Sequence, residues 1–164
     1  MKLMELGEIC ESMHQGINTA ADKVDYSIDG YQILQSRNIT QGFIDYTDSK
    51  RVDFETYQKY KEKYNPRPGD ILLCNIGTIG NSLVVKQEND FLIAWNLFLL
   101  KVNQSLVHPN YLNYFLIYLR ETNFYTKFLT GGTVKFISKT TLSSIKIPLP
   151  PLEEQKRIAA ILDK

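Results

Sequence analysis

The sequence predicts an α+β fold, and three observations carry that prediction. Short alternating or uniformly apolar runs crowd the middle of the chain, as in Gly30–Gln35 and Ile71–Cys74. The best helical periodicity lies in the last third, where Leu112, Phe115, Leu116 and Leu119 fall on one face. Strand-like and helix-like segments are segregated along the chain rather than alternating, which is the α+β pattern.

In chain order, the spacing of Leu3, Leu6, Ile9 and Cys10 predicts one or two helical turns, followed by a loop at Gln15–Thr19. Gly30–Gln35 alternates and predicts a strand entered from an Asp29-Gly30 turn. Ser36–Gly42 is a polar loop. Phe43–Tyr46 and Arg51–Phe54 are short strand candidates, and Glu55–Tyr64 is polar and helix-compatible. Asn65-Pro66-Arg67-Pro68-Gly69-Asp70 is a strong turn signal.

Ile71–Cys74 then predicts a buried strand, and Asn75–Asn81 a glycine-bearing turn. Leu83–Lys86 and Phe91–Val102 predict strands, the second containing the lone Trp95. His108-Pro109-Asn110 starts the best helix, because proline suits the first helical position, where its missing N–H costs nothing. A further helical piece at Asn123–Thr130 closes at Gly131-Gly132, and Thr133–Ser138 leads on into Leu142–Ile147.

The chain ends in a rigid strap, with Pro148, Pro150 and Pro151, that runs into a helix. The apolar positions Leu152, Ile158, Ala159, Ile161 and Leu162 are too few to hold that helix alone, since isolated helices under about 12–15 residues are marginal in water. The segment therefore either docks on the body of the domain or begins a longer, partner-seeking helix.

Composition bounds the function. A chain of 164 residues fits one domain and can bury a core. Its formal net charge of +1 gives no global basic field, although a local basic face remains open. Cys10 and Cys74 sit in apolar contexts and are expected to be reduced thiols of a cytoplasmic protein rather than a disulfide. Met1-Lys2-Leu3 reads as a start rather than a targeting segment, and no apolar run is long enough to span a membrane.

Catalytic motifs fail one by one. Gly77-Thr78-Ile79-Gly80 lacks the lysine and the following helix of a phosphate loop, so a tight turn is the plainer reading. His14 and His108 have no metal-ligand spacing around them, and Cys74 reads as core. Glu154-Gln155-Lys156 can be forced into a nuclease pattern, but Glu153 and Glu154 simply suit the dipole at a helix start. Asn65-Pro66-Arg67-Pro68 does not match the motif of an adenine methyltransferase.

Polar loops remain. Arg37, Asn38, Thr40 and Gln41 follow a strand, Lys50 and Arg51 follow a loop of small polar residues, and Lys135, Ser138 and Lys139 flank Phe136. Arginine, asparagine and glutamine read guanine and adenine edges, while lysine, serine and threonine hold phosphates. An ordinary solvated surface has the same composition.

The closing Ile147-Pro148-Leu149-Pro150-Pro151-Leu152-Glu153-Glu154-Gln155, followed by Ile158 and Leu162-Asp163, resembles the junction that ends a target recognition domain in the specificity (S) subunit of type I restriction–modification systems. Leu6-Gly7-Glu8-Ile9, Ser36-Arg37-Asn38-Ile39, Gly69–Leu73 with Gly77–Gly80, the helix Tyr111–Leu119 and the Gly131–Ser138 loop match the same family in the same order. The resemblance implies a twisted, mixed or antiparallel β-rich recognition domain over 1–147, and a proline strap with the start of a long spacer helix over 148–164.

The implied function is non-catalytic: sequence-specific binding of one half of a bipartite double-stranded DNA site. The loops bearing Arg37, Asn38, Thr40, Gln41, Lys50, Arg51, Asn75, Thr78, Asn81, Lys135, Ser138 and Lys139 would approach the DNA. Leu152, Gln155, Ile158, Ile161 and Leu162 would start the packing stripe toward a second recognition domain or a second copy. Methyltransferase (M) subunits would bring S-adenosylmethionine, so no cofactor is expected in this chain, and restriction (R) subunits would cleave. The expected setting is the cytoplasm of a bacterium or archaeon. Where the family usually carries two recognition domains, this chain has one, which leaves open a fragment, a shortened product or a half-subunit that dimerises. Two rivals share the fold: a module that binds M subunits without reading DNA, and the recognition part of a fused restriction–methyltransferase enzyme.

Overall fold

Strands form where the sequence alternates or runs apolar, and they assemble into three small sheets. A computed structural model describes residues 1–40 and 42–164, so the candidate Gln41 lies outside the described residues. The first half contains β1 (Lys2–Glu5), α1 (Leu6–Ile9), β2 (Cys10–Gln15), β3 (Tyr31–Leu34), β4 (Lys50–Val52) and α2 (Phe54–Tyr64). The second half contains β5 (Ile71–Cys74), β6 (Ser82–Val84), β7 (Phe91–Ile93), β8 (Leu97–Val102), α3 (Pro109–Glu121), α4 (Lys139–Ser143), β9 (Lys146–Leu149) and α5 (Leu152–Leu162). Short 3-10 turns occupy Ser36–Asn38 and Phe124–Phe128.

The uniformly apolar β5 explains the layering, because all four of its side chains are buried and both faces need cover. It lies inside an antiparallel sheet of order β2-β8-β5-β6. On one face Ile71, Leu73, Phe98 and Leu100 pack with Leu6, Leu112, Leu116, Leu142 and Ile147 from the helices and β9. On the other face Leu72, Cys74, Leu97 and Leu99 meet Leu34, Phe91 and Ile93 of a second sheet, ordered β4-β3-β7. That sheet is mixed, with β3 antiparallel to β4 and parallel to β7. Its far face is covered by Tyr57 of α2, packed with Ile33, Val52 and Leu92. Two sheets thus face each other with helices outside. Each Leu or Ile buried between them contributes about 1.5–3 kcal/mol relative to exposure.

Several elements depart from the sequence expectations, each for a non-local reason. The opening helix is a single turn, α1, between two strands. Lys2–Glu5 instead pair antiparallel with Lys146–Leu149, from Lys2 opposite Leu149 to Glu5 opposite Lys146. Phe91–Val102 is not one strand: Ala94 bridges Ile17, and Trp95 and Asn96 turn the chain from one sheet into the other. Phe43–Tyr46 forms only an isolated bridge between Ile39 and Ile44. The stretch from Leu142 to Ile147 contains the end of α4, whose N-terminus Ser138 caps by accepting from the Thr141 N–H at 3.2 Å.

The proline strap is partly a strand. Pro148 lies in β9 opposite Leu3. The Pro148 carbonyl accepts from the Tyr111 hydroxyl at 2.7 Å, so its nitrogen faces away from β1 and the missing N–H removes no ladder bond. The helix after it docks. Gln155 and Ala159 of α5 are buried, Leu152 and Ile158 are half-buried, and Ile161 and Leu162 stand 63% and 52% exposed. Gln155, expected in an outward stripe, points into the body: its Oε1 accepts from the His108 N–H at 2.8 Å, and its Nε2 donates to the carbonyls of Pro150 at 2.9 Å and Leu106 at 3.2 Å.

Candidate nucleic-acid interface

One end of the two facing sheets gathers the loops, and the turn Ala94–Asn96 is its knot. The Ala94 N–H donates to the Leu34 carbonyl at 2.8 Å. The Gln15 side chain donates to the Trp95 carbonyl at 2.8 Å. Asn96 accepts twice: its side chain from the Ser36 N–H at 3.0 Å, its carbonyl from the Asn75 N–H at 3.3 Å. Gly16 permits this closeness, since a Cβ there would lie 2.3 Å from the carbonyl oxygens of Ile93 and Ala94.

Two further links complete the cluster. The Ile137 N–H donates to the Asn75 carbonyl at 3.0 Å, and Ile76 bridges Phe136, which brings in the 131–138 segment. Asn81 donates to the Ile39 carbonyl at 3.3 Å and accepts from the Arg120 guanidinium at the far end of α3. Arg37 donates to the Asp48 carbonyl, tethering the loop that precedes Lys50. The loops carrying residues 36–40, 75–81, 94–96 and 136–138 therefore share one end, with the 46–50 loop joined through Arg37.

The candidates divide sharply by burial. Arg37, Lys50, Thr78, Lys135 and Lys139 are exposed. The Lys50 ammonium lies 5.5 Å from the centre of the Tyr26 ring, and Lys135 donates to the Gly131 carbonyl at 2.9 Å. Asn38 is a structural residue rather than a reader: it is 1% exposed, accepts from the Gln35 N–H at 2.9 Å and donates to the Asp45 carbonyl at 2.8 Å. Asn75 is equally buried, so its side chain cannot meet a ligand at the surface of this conformation. Thr40 donates within its own turn to the Phe43 carbonyl at 3.1 Å, and Ser138 is engaged as a helix cap. Half-buried Arg51 turns back to the Gly30 carbonyl at 2.8 Å, away from Lys50.

Sequence reasoning passed over Trp95, Asn96, Gln15 and Arg120. The available signal was a lone tryptophan followed by asparagine inside an otherwise apolar run.

The titratable groups give no nucleophile or acid–base pair at this end. Burial pushes both the Cys10 and Cys74 thiols up to about 12, so neither is a thiolate near neutral pH. His14, edge-on to Tyr64, is held below its ordinary value by burial first and by Lys63, Lys101 and Lys139 next. Among the described residues no group of three or more His, Cys, Asp or Glu side chains could hold a metal ion, and no helix is long and apolar enough to cross a membrane. The arrangement presents cations and an aromatic ring on loops held by engaged amides, which suits recognition.

The family model for the type I restriction modification DNA specificity domain matches residues 1–164. The chain belongs to that family. It is 34% identical to the putative type I restriction enzyme MjaX specificity subunit of Methanocaldococcus jannaschii, over 98% of this chain and 38% of that protein. It is 33% identical to the putative specificity subunit S.HindORF215P of Haemophilus influenzae, over 81% of this chain and 36% of that protein. Its fold matches the crystal structure of the HsdS subunit from Thermoanaerobacter tengcongensis with a TM-score of 0.68 at 26% identity, over 99% of this chain and 36% of that one. The chain thus spans little more than a third of the length of the curated relatives it matches. The expected α+β fold and the expectation of a specificity component rather than an enzyme both agree with this membership.

Proposed function

We propose that this domain reads one half of a bipartite DNA target for a type I restriction–modification complex. Its face is the loop end of the two sheets, with Arg37, Thr78, Lys50, Lys135 and Lys139 outermost. The observation that carries this reading is the convergence of those loops on one end of the sheets, linked through Asn96, Asn75 and Arg37, in a domain of a DNA specificity family. Rigid scaffolds presenting loops are where recognition residues concentrate. The net charge of +1 leaves most of the phosphate grip to partners, so affinity in isolation should be modest and salt-sensitive.

Methyltransferase subunits, carrying S-adenosylmethionine, and restriction subunits would supply the chemistry in the cytoplasm of the host cell. The outward side chains of α5, Ile161 and Leu162, would continue the spacer packing toward a second recognition domain or a second copy. The test is selection from a randomised bipartite duplex pool, with the domain alone and with the M subunit. Enrichment of a defined half-site supports the reading. Co-purification with the M subunit while no sequence is enriched replaces it with a protein-docking role.

A further inference from the structure

We infer that Trp95 is a specificity-determining contact, placing its indole against a thymine 5-methyl group in the major groove. The inference rests on the DNA-reading role proposed above and deepens it.

Trp95 is 44% exposed, although Ile93, Ala94 and Leu97 around it are buried. Single exposed apolar side chains are common and need no explanation. What sets this one apart is its mounting. The Trp95 carbonyl is held by Gln15, and the residue after it binds both the loop that carries Arg37 and the 75–81 turn. The residue before it is bonded to Leu34 and bridged to Ile17. Three segments of chain, around Gln15–Ile17, Leu34–Ser36 and Asn75, therefore fix the backbone of a turn whose largest side chain remains 44% exposed.

A large ring so mounted has a chemical consequence. Its backbone is already ordered and the side chain has only two rotatable angles, so contact costs little conformational entropy. Indole offers a broad apolar face and a single N–H donor, and no acceptor. Of the groups a major groove displays, the thymine methyl is the apolar one. The exposed cations nearby address phosphates and guanine edges, which leaves the ring the apolar part of the code.

The chain's single tryptophan makes the test direct. The probe is a duplex recovered by selection from the randomised pool, added to the intact chain with the M subunit if that is needed for binding. A tryptophan-free M subunit, or comparison with W95F in the same complex, isolates the signal. The expected result is a change in indole emission and protection from acrylamide on binding the selected duplex. W95A should bind about tenfold or more weakly, as expected for a buried aromatic anchor. Thymine-to-uracil replacement at one position should weaken wild type but not W95A, and W95F should restore part of the thymine preference. Urea denaturation of W95A should show a cooperatively folded domain, so that weaker binding is not loss of the fold.

If wild type selects a sequence yet its emission is unchanged and W95A binds equally well, the Trp95 assignment is overturned while the DNA-reading role stands. Indifference of wild type to every thymine-to-uracil change overturns it too. If no sequence is selected at all, both readings fall.

Discussion

Replacing Gln155 by alanine separates a docked helix from a free stump. The side chain is 1% exposed and satisfies three backbone groups, the His108 N–H and the carbonyls of Leu106 and Pro150. Q155A removes their partner and leaves a polar-lined gap where α5 meets the start of α3. Each buried group left unsatisfied costs about 1–3 kcal/mol. Partial relaxation and water entry reduce the sum, so about 3–5 kcal/mol is expected in all. That is a large share of a domain's usual stability of about 5–15 kcal/mol. At about 2–4 °C per kcal/mol for a chain of this size, the midpoint should fall by about 10 °C. I161A, on the same helix but 63% exposed, should stay within about 0.5 kcal/mol of wild type. The assay is urea and thermal denaturation followed by circular dichroism. A loss under about 1 kcal/mol for Q155A, or equal losses for Q155A and I161A, would show that α5 is not held as described.

Other expectations follow from the same geometry. N38A should cost about 2–3 kcal/mol, because it orphans the Gln35 N–H and the Asp45 carbonyl, whereas R37A should leave melting nearly unchanged and reduce the salt dependence of DNA binding by about one phosphate contact. The buried Asn75 amide has no hydrogen-bond partner among the described residues, so N75L should melt at or above the wild-type temperature; a clear drop would mean the amide is satisfied. Folding lowers the His14 pKa, so the unfolded chain takes up the proton first as pH falls; stability should be full above about pH 6.5 and decline below it, and H14Q should flatten that decline in a pH series of melts.

Local signals were legible where one residue suffices to set a local bond. His108 caps α3, its side chain accepting from the Asn110 N–H at 3.2 Å, and Pro109 takes the first helical position as its chemistry requires. The apolar run Ile71–Cys74 is the doubly covered strand it reads as. Pairing between distant segments was not legible, because β1 finds β9 across nearly the whole chain and no local pattern announces it. At the recognition face, residue type misled in a specific way. Asparagine is equally suited to an adenine edge and to bridging two backbone groups, and Asn38 does the second. Gln155 stands among charged neighbours in sequence, yet its position in the first turn of α5 turns it inward. Only the fold decides which amides are spent on structure, and here most of them are.

That division gives α3 a mechanical part. At its start, His108 binds Gln155 of α5, and at its end Arg120 binds Asn81 in the 75–81 turn. A helix rises about 1.5 Å per residue, so these two anchor points stand about 18 Å apart on one rigid element. Midway, the Tyr114 hydroxyl donates to Asp163 at 2.5 Å, which ties the end of α5 to the same helix. α5 and the 75–81 turn are therefore both anchored to a single strut. The proposed half-site role requires the loops to hold a fixed position relative to whatever α5 leads to, because in a split target the spacing between halves would itself be read. R120A tests this: it spares the exposed loop cations but frees one end of the strut. It should therefore relax the tolerated spacing between half-sites, measured in the full complex, more than it weakens binding to an isolated half-site. Equal effects on both would assign Arg120 to the binding face instead.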